Sequence, residues 1–282
     1  MVIIESIDDV KKTIHQARVD GNSIGFVPTM GSFHSGHLSL IKRSVSECDV
    51  TVVSIFVNPL QFNNLLDYNV YPRDVDGDIQ QLEKERVDIL FIPRADDMYK
   101  EQAKTYVEVE GLSDVLEGKF RPGHFKGVST VVCKLLNIVQ PENVYFGWKD
   151  AQQLVIIKKM VRDLNMPVNI IGCPTIRERD GLAASSRNIF IGDKRIEALS
   201  LYRALKRIEE MVLKEKVRDI SVLLTEGGNI IKEYPLVELQ YLEIFDAEEF
   251  VPAQEVKGSV IALGAIQLPS VRLIDNIAIK VL

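Results

Sequence analysis

Ser23-Ile-Gly-Phe-Val27, Pro28-Thr-Met-Gly-Ser-Phe-His-Ser-Gly-His37, Leu38–Ser46 and Asp49-Val-Thr-Val-Val-Ser-Ile-Phe-Val57 follow one another almost without a break, and their reading decides the fold. The first run is short and apolar, as a buried strand is. The last is rich in β-branched residues, as a strand covered on both faces should be. Between them Leu38, Ile41 and Val45 fall on one helical face. Strand, helix and strand within about 35 residues suit a right-handed parallel crossover. Two of the chain's four histidines lie in the turn, three positions apart.

Working outward, Ser6-Ile-Asp-Asp reads as a helix cap, and Val10, Ile14 and Ala17 give a short amphipathic helix within Ile4–Gly21. Downstream, Asn58-Pro-Leu-Gln-Phe62 ends the second strand, because a proline stops the ladder. Asn58 and Gln61 then sit at the carboxyl end of a parallel strand, where open α/β sheets bind ligands. The residues up to Arg73 read as a loop, Val75–Glu85 as a helix and Asp88–Ile92 as a strand. Thr105–Val109 reads as a weaker strand, and Arg121-Pro-Gly-His-Phe-Lys-Gly127 as a turn-rich loop. Val128–Val139 and Asp150–Leu164 read as helices, Val144–Phe146 and Val168–Ile171 as strands. This alternation implies an α/β fold, a doubly wound parallel-sheet, Rossmann-like N-terminal domain over residues 1–175.

After Pro174 the texture changes. A polar segment, Arg177–Asn188, precedes helical patterns at Ala198–Leu213 and Ile220–Tyr234. Strand-like runs follow at Glu238–Ile244, Ser259–Leu263 and Val271–Ile279. Residues 176–282 therefore read as a smaller α+β C-terminal domain.

Composition narrows the function. A net charge of −6 argues against nucleic acid as the main partner. No apolar run approaches membrane-spanning length, and the first residues do not have the form of a signal peptide. The three cysteines, Cys48, Cys133 and Cys173, are scattered and odd in number, which fits a reducing cytoplasm better than a disulfide framework.

Three stretches carry chemistry. A helix N-terminus at His34-Ser-Gly-His37 would present unpaired N–H groups to phosphate, and protonated rings would add charge. Two capping histidines, or half of a metal site, remain open readings of the same pair. Neither a Walker A pattern nor Gly-x-Gly-x-x-Gly is present. Gly147-Trp-Lys-Asp150 offers Lys149 to a phosphate, while Asp150 and Gln153 also match a helix capping box. Ala184-Ser-Ser-Arg-Asn188 could clamp phosphate or be an ordinary polar turn. Asn58 and Gln61 suit the hydroxyl or carboxylate of a small organic acid, and Arg121, His124 and Lys126 make a small basic loop.

Taken together, these strings resemble the pantothenate synthetase (pantoate–β-alanine ligase) family, nucleotidyl transferases with a His-x-Gly-His motif. The matching strings are Val27-Pro-Thr-Met-Gly31 with His34-Ser-Gly-His37, Ser54-Ile-Phe-Val-Asn-Pro-Leu-Gln-Phe62, Tyr71-Pro-Arg73, and Arg121-Pro-Gly-His-Phe-Lys-Gly127. Asn143–Asp150 with Ala151-Gln-Gln153, Asp180-Gly-Leu-Ala-Ala-Ser-Ser-Arg-Asn188 and Arg272-Leu-Ile-Asp-Asn276 complete the series in family order. The resemblance implies that ATP activates pantoate as pantoyl adenylate, with release of pyrophosphate. β-Alanine then displaces AMP to give pantothenate. It implies ATP contacts from Met30, Gly31, Ser32, Phe33, His34, Ser35, Gly36 and His37, from Gly147, Trp148, Lys149 and Asp150, from Ile176, and from Ala184, Ser185, Ser186 and Arg187. His37, His34, Lys149 and Arg187 would be the catalytic groups, with His37 the acid. Gln61, Gln153 and Asn58 would bind pantoate, and Gln61 also β-alanine. Mg²⁺ would ride on the ATP phosphates without protein ligands, with Asp78 as a neighbour, and the protein would be a cytoplasmic homodimer. Leu66, Trp148 and Ala184 stand where the family commonly has an acid, Glu or Gln, and Met or Leu.

Overall fold

Alternate side chains of four central strands go to opposite faces of one sheet, and that period-two pattern builds two cores. The computed structural model describes residues 1–100 and 103–281, with the side chains at 65–67, Leu66 included, outside that description. Two units divide after Pro174: Met1–Pro174 and Thr175–Leu282.

The first unit has strands β1 (Val2–Ile4), β2 (Ile24–Thr29), β3 (Val50–Ile55), β4 (Ile89–Phe91), β5 (Asn143–Gly147) and β6 (Asn169–Cys173). Its helices are α1 (Ile7–Val19), α2 (Ser35–Glu47), α3 (Leu65–Val70), α4 (Val75–Lys84), α5 (Ala95–Met98), α6 (Glu117–Phe120), α7 (His124–Val139) and α8 (Ala151–Asp163). Every strand pairing is parallel, in the order β1-β4-β3-β2-β5-β6. The chain winds outward from β2 through β3 to β4, then returns to β5. The switch point therefore falls between β2 and β5, where such sheets bind ligands.

Ile24, Phe26, Val52, Ile89, Phe91, Val144 and Phe146 face a core shared with α1, α7 and α8. Val27, Val53, Ile55, Leu90 and Tyr145 face the other, with Leu40 and Ile41 of α2 and Leu82 of α4. Gly25 lets α2 approach the sheet: a Cβ there would lie 2.3 Å from Ser44 Oγ.

Several elements differ from the sequence reading. β1 is an added edge strand, too short for its periodicity to register. β2 runs on through Pro28, and β5 has already left it after Phe26, so the proline costs no ladder bond on that side. The expected loop before Arg73 contains α3. The expected strand at Thr105–Val109 does not form. Its Val107 N–H donates instead to Thr130 Oγ1 on α7, at 3.0 Å. α7 starts at His124 rather than Val128, because His124 and Phe125 are themselves buried and extend its apolar side.

In the second unit, α9 (Arg195–Ala198), α10 (Ser200–Leu213) and α11 (Ile220–Lys232) precede β7 (Glu238–Asp246), β8 (Ser259–Gln267) and β9 (Arg272–Lys280). The strands form an antiparallel sheet in chain order. Leu205, Ile208, Leu223 and Ile231 of the helices share a core with Ile244, Ala262 and Ile266. The polar segment 177–188 is fastened by Arg177, which makes a forked pair with Asp275 at 2.6 and 3.0 Å. The same guanidinium donates to the carbonyls of Gly181 and Asn276 and lies 4.7 Å from the Tyr202 ring centre.

Gly127 carries the closest helix-to-turn approach beside Gln61. A Cβ there would stand 2.4 Å from the Leu60 carbonyl oxygen, which is backbone and cannot swing away. Gly127→Ala is expected to lower stability by about 1–3 kcal/mol, the usual cost of overpacking. Urea unfolding at constant m-value measures it, and an unchanged midpoint would contradict the contact.

Candidate active site

The turn after β2 is held from below. Gly31 and Ser32 both take left-handed backbone conformations, φ +80° and +54°. Such a conformation is uncommon for serine and needs support. Asp78 of α4 supplies it: Ser32 N–H donates to Oδ2 at 2.7 Å and Phe33 N–H to Oδ1 at 2.8 Å. A Cβ on Gly31 would lie 2.8 Å from Asp78 Oδ2, so glycine is required there. Burial pushes the Asp78 carboxyl above its ordinary pKa, against the pull of the two N–H donors. Asp78, expected as a neighbour of Mg²⁺, thus holds the turn with one bond to each of its oxygens.

His34 is the N-cap of α2, and its Nδ1 accepts the Gly36 N–H at 3.1 Å. In the neutral ring that leaves the proton on Nε2, a donor for an incoming oxygen. The capping reading and a phosphate-binding role are thus compatible. One turn on, the His37 ring is centred 4.1 Å from that of His34 and 5.6 Å from Phe33, edge to face. His37 Nδ1 is closed off from solvent without a hydrogen-bond partner among the described residues.

Burial, then the charge of Lys149, brings His34 to a pKa of about 4. Burial, then His34 itself, brings His37 to about 3. Asp150 opposes both shifts and Lys149 reinforces both. At neutral pH both rings of this arrangement are neutral, first because they are buried and then because a positive charge or a second imidazole lies near each.

These shifts also locate the second stretch. Trp148–Asp150 forms a 3₁₀ turn leading straight into α8, at the end of β5. Lys149 Nζ lies 3.4 Å from Asp150 Oδ1. The capping box of Asp150 with Gln153 does not form, since Asp150 makes no side-chain cap bond and its carboxylate turns to Lys149. Trp148 packs over β6, where a Cβ on Gly172 would meet its Nε1 at 2.6 Å.

Asn58 is 1% exposed and fully occupied. Its Nδ2 donates to Gln61 Oε1 and to the Gly127 carbonyl, both at 3.1 Å. Its Oδ1 accepts from Tyr99 OH at 2.7 Å and from Leu60 N–H at 3.3 Å. Asn58, expected to bind pantoate, thus has each donor and acceptor met by protein groups and positions Gln61. Gln61 Nε2 points to Met30 Sδ at 3.1 Å, a weak acceptor that an anionic oxygen would displace. Gln153 is half-buried in the first turn of α8, beside Gln152, which is tied to the loop 112–117.

In the second unit Ala184 N–H donates to the Ile176 carbonyl at 2.9 Å. Ser185 Oγ caps the 3₁₀ turn Ser186–Phe190 by accepting the Arg187 N–H at 3.3 Å. Ala184 is buried, while Ser185, Ser186 and Arg187 are half-buried.

A strand-turn-helix histidine pair facing a lysine across the switch point narrows the comparison with known proteins. The family profile described as Pantoate-beta-alanine ligase matches residues 2–278. The chain belongs to the pantoate–β-alanine ligase family. It is 46% identical over 282 residues to the pantothenate synthetase of Caldicellulosiruptor saccharolyticus, covering 100% of both chains. The crystal structure of pantothenate synthetase from Thermus thermophilus superposes with a TM-score of 0.93 at 41% identity, covering 98% of this chain and 99% of that one. The Francisella tularensis ligase, solved with β,γ-ATP and β-alanine, gives 0.77 at 38% identity, covering 98% and 97%. This chain is accordingly a ligase that joins pantoate and β-alanine into pantothenate at the expense of ATP.

Sequence reasoning missed two supports of the ligase site. Asp78 shares the buried side of α4 with Leu82, four residues on. A carboxylate within an apolar stripe signals a hidden partner. Tyr99, the donor to Asn58, left no such signal.

His34, His37 and His124 all have folded pKa values of about 4, 3 and 4, below the ordinary 6.5. The unfolded chain therefore takes up the extra protons first. Stability from the neutral rings is complete above pH 6.5 and is lost as pH falls toward about 3 to 4. The denaturation midpoint of the ligase should drop over that window, and His37→Gln should flatten part of the slope. A pH-independent midpoint from 6.5 to 4.5 would count against the buried, neutral rings.

Proposed function

We propose that this ligase works in two steps at the cradle between β2 and β5. Pantoate carboxylate attacks the α-phosphorus of ATP, forming pantoyl adenylate and releasing pyrophosphate. The amine of β-alanine then attacks the acyl carbon and releases AMP. The observation that carries this reading is the His34–His37 pair on the N-terminus of α2, within the field of Lys149.

Adenylation spreads negative charge over the α-phosphate and the departing pyrophosphate. Donors fixed in advance around that charge lower the barrier more than mobile water does. His34 would offer Nε2–H, Lys149 a full positive charge, and α2 its partial one. His37 would act as the acid once phosphate stands beside it, since an adjacent anion favours the protonated ring. Met30, Gly31, Ser32, Phe33, Ser35 and Gly36 would line the nucleotide with Gly147, Trp148 and Asp150. Ile176 and Ala184 would contact ATP through the backbone, and Ser185, Ser186 and Arg187 would take its phosphates. The second unit would then serve as a lid, and the first as the ATP- and pantoate-binding domain. Gln61 and Gln153 would hold the (R)-pantoate, with Gln61 shared by β-alanine.

Among the described residues no group of three His, Cys, Asp or Glu could hold a metal. Mg²⁺ carried by the ATP phosphates suits that donor set and would offset their charge. No described helix is long and apolar enough to cross a membrane. The three cysteines are free thiols, which supports work in a reducing cytoplasm. We place the protein there as a homodimer, a state that sedimentation would check.

Supplying ATP, pantoate and β-alanine should yield AMP, pyrophosphate and pantothenate. Pyrophosphate release should require pantoate. An enzyme releasing none with pantoate would sink the adenylate reading. His37→Ala and Lys149→Ala should each slow pantoate-dependent adenylation by about 10²–10³, the scale of one lost preorganised donor. Rates within a few-fold of the parent would remove that residue from the mechanism.

A further inference from the structure

Both acid substrates carry a carboxylate, yet the side chains assigned to them, Gln61 and Gln153, are neutral amides. An amide orients a carboxylate without neutralising it, and a carboxylate drawn out of water needs a cation. The corner between α6 and α7 supplies one. His124 Nδ1 lies 2.8 Å from the Gln61 carbonyl oxygen, and its Nε2 lies 3.2 Å from Arg121 Nη1. A carbonyl only accepts, so Nδ1 carries the proton and Nε2 is bare toward the guanidinium. The ring is buried, and burial with the nearby Arg121 charge holds its pKa down to about 4. The positive charge of this pair therefore resides on Arg121.

The corner is fastened at both ends. Glu117 N–H donates to Gln152 Oε1 at 3.1 Å, and Gln152 Nε2 donates to the carbonyls of Leu112 and Val115 at 2.9 and 2.8 Å. Leu116, between those anchors, is held at φ +50°. A bulky residue rarely stays there unless its surroundings impose it. Gln152 precedes Gln153, so the corner spans from one pantoate-side amide to the other. Contacts run in order from Met30 to Gln61, His124 and Arg121. Met30 begins the phosphate turn, and Arg121 stands at the opposite end of that series.

We propose that Arg121 grips the carboxylate of the amine substrate, β-alanine, with His124 as the post that aims it. This rests on the reading of the site given above. The carboxylate of β-alanine takes no part in bond formation, and it must be kept from the phosphates while the amine reaches the acyl carbon. A planar guanidinium, fixed through its own N–H to a rigid ring, matches such a carboxylate with two parallel hydrogen bonds. Arg121 thereby selects an ω-amino acid over a plain amine.

The test is steady-state kinetics of the full-length enzyme with β-alanine and with 3-aminopropanamide, whose carboxylate is replaced by a neutral amide. In the parent, the amide should show a KM about 10- to 100-fold higher, the scale of a hydrogen bond to a charged group. Arg121→Met should raise the KM for β-alanine by a similar factor, leave the KM for pantoate within about twofold, and treat the two amines alike. Arg121→Lys should recover part of the loss, since it keeps the charge without the fork. Arg121→Met or Arg121→Lys that prefers β-alanine by the parent's full factor overturns the inference, as does an equal rise in the KM for pantoate. Pantoate-dependent pyrophosphate release by the parent is scored separately. Its absence defeats the adenylate reading; its presence with unaltered amine preference defeats only the assignment of Arg121.

Discussion

One buried carboxylate sets the geometry of the turn after β2. Asp78 receives the backbone N–H groups of Ser32 and Phe33 just where the chain leaves β2 in a left-handed conformation. Without that acceptor, two backbone donors would be left unpaired inside the protein, at a cost of about 1–3 kcal/mol each. The bond also fixes where α2 begins. His34 can cap the helix, and His37 can lie over His34, only if the three residues before them turn sharply. Asp78 itself is held by α4, whose Leu82 is locked into the same core as Leu40 and Ile41 of α2. Core packing on one face of the sheet thus sets the position of the groups at its edge.

The neutrality of the two histidines follows first from their burial and then from nearby charge. Two rings about 4 Å apart, a lysine in range and a helix N-terminus all penalise a further positive charge. The site therefore waits with N–H dipoles and one ammonium rather than with a cluster of cations. A phosphate placed beside them would favour the protonated rings. Asp150, turned toward Lys149 instead of capping α8, moderates that field before any ligand is present.

The doubly wound sheet was legible because its strands are buried on both faces and read as long β-branched runs, Val50–Ile55 above all. The turn Pro28–His37 stood out because histidine is scarce in this chain. The failures have a common cause. Thr105–Val109 has the composition of a strand, yet its hydrogen bonds go to Thr130 on α7, a partner 23 residues away. Asn58 reads from sequence as a ligand-binding amide at a strand end, and its four protein partners give it a bracing role the sequence does not show. The Arg121–Gly127 segment carries the residues of a solvated loop, but His124 is drawn inward by a carbonyl distant in sequence. Local pattern identifies which residue types are present; long-range hydrogen bonds decide whether each faces substrate or scaffold.

That division bears on Gln61, the residue proposed for both small acids. The groups proposed for phosphate lie in the first turn of α2 and in the 3₁₀ turn Trp148–Asp150 before α8. Gln61 lies on another three-residue 3₁₀ turn, Pro59–Gln61, which is too short to hold its own geometry. The turn is therefore braced from three directions, by Asn58 at its N-cap, by the close backbone approach of Gly127, and by His124. Each brace comes from the α7 side or ends there. Helix α7 is in turn the most apolar part of the first core, with Val128, Val131, Val132, Leu135 and Leu136 all buried. The precision of Gln61, a polar residue on a weak element, thus derives from the hydrophobic packing of the helix beside it.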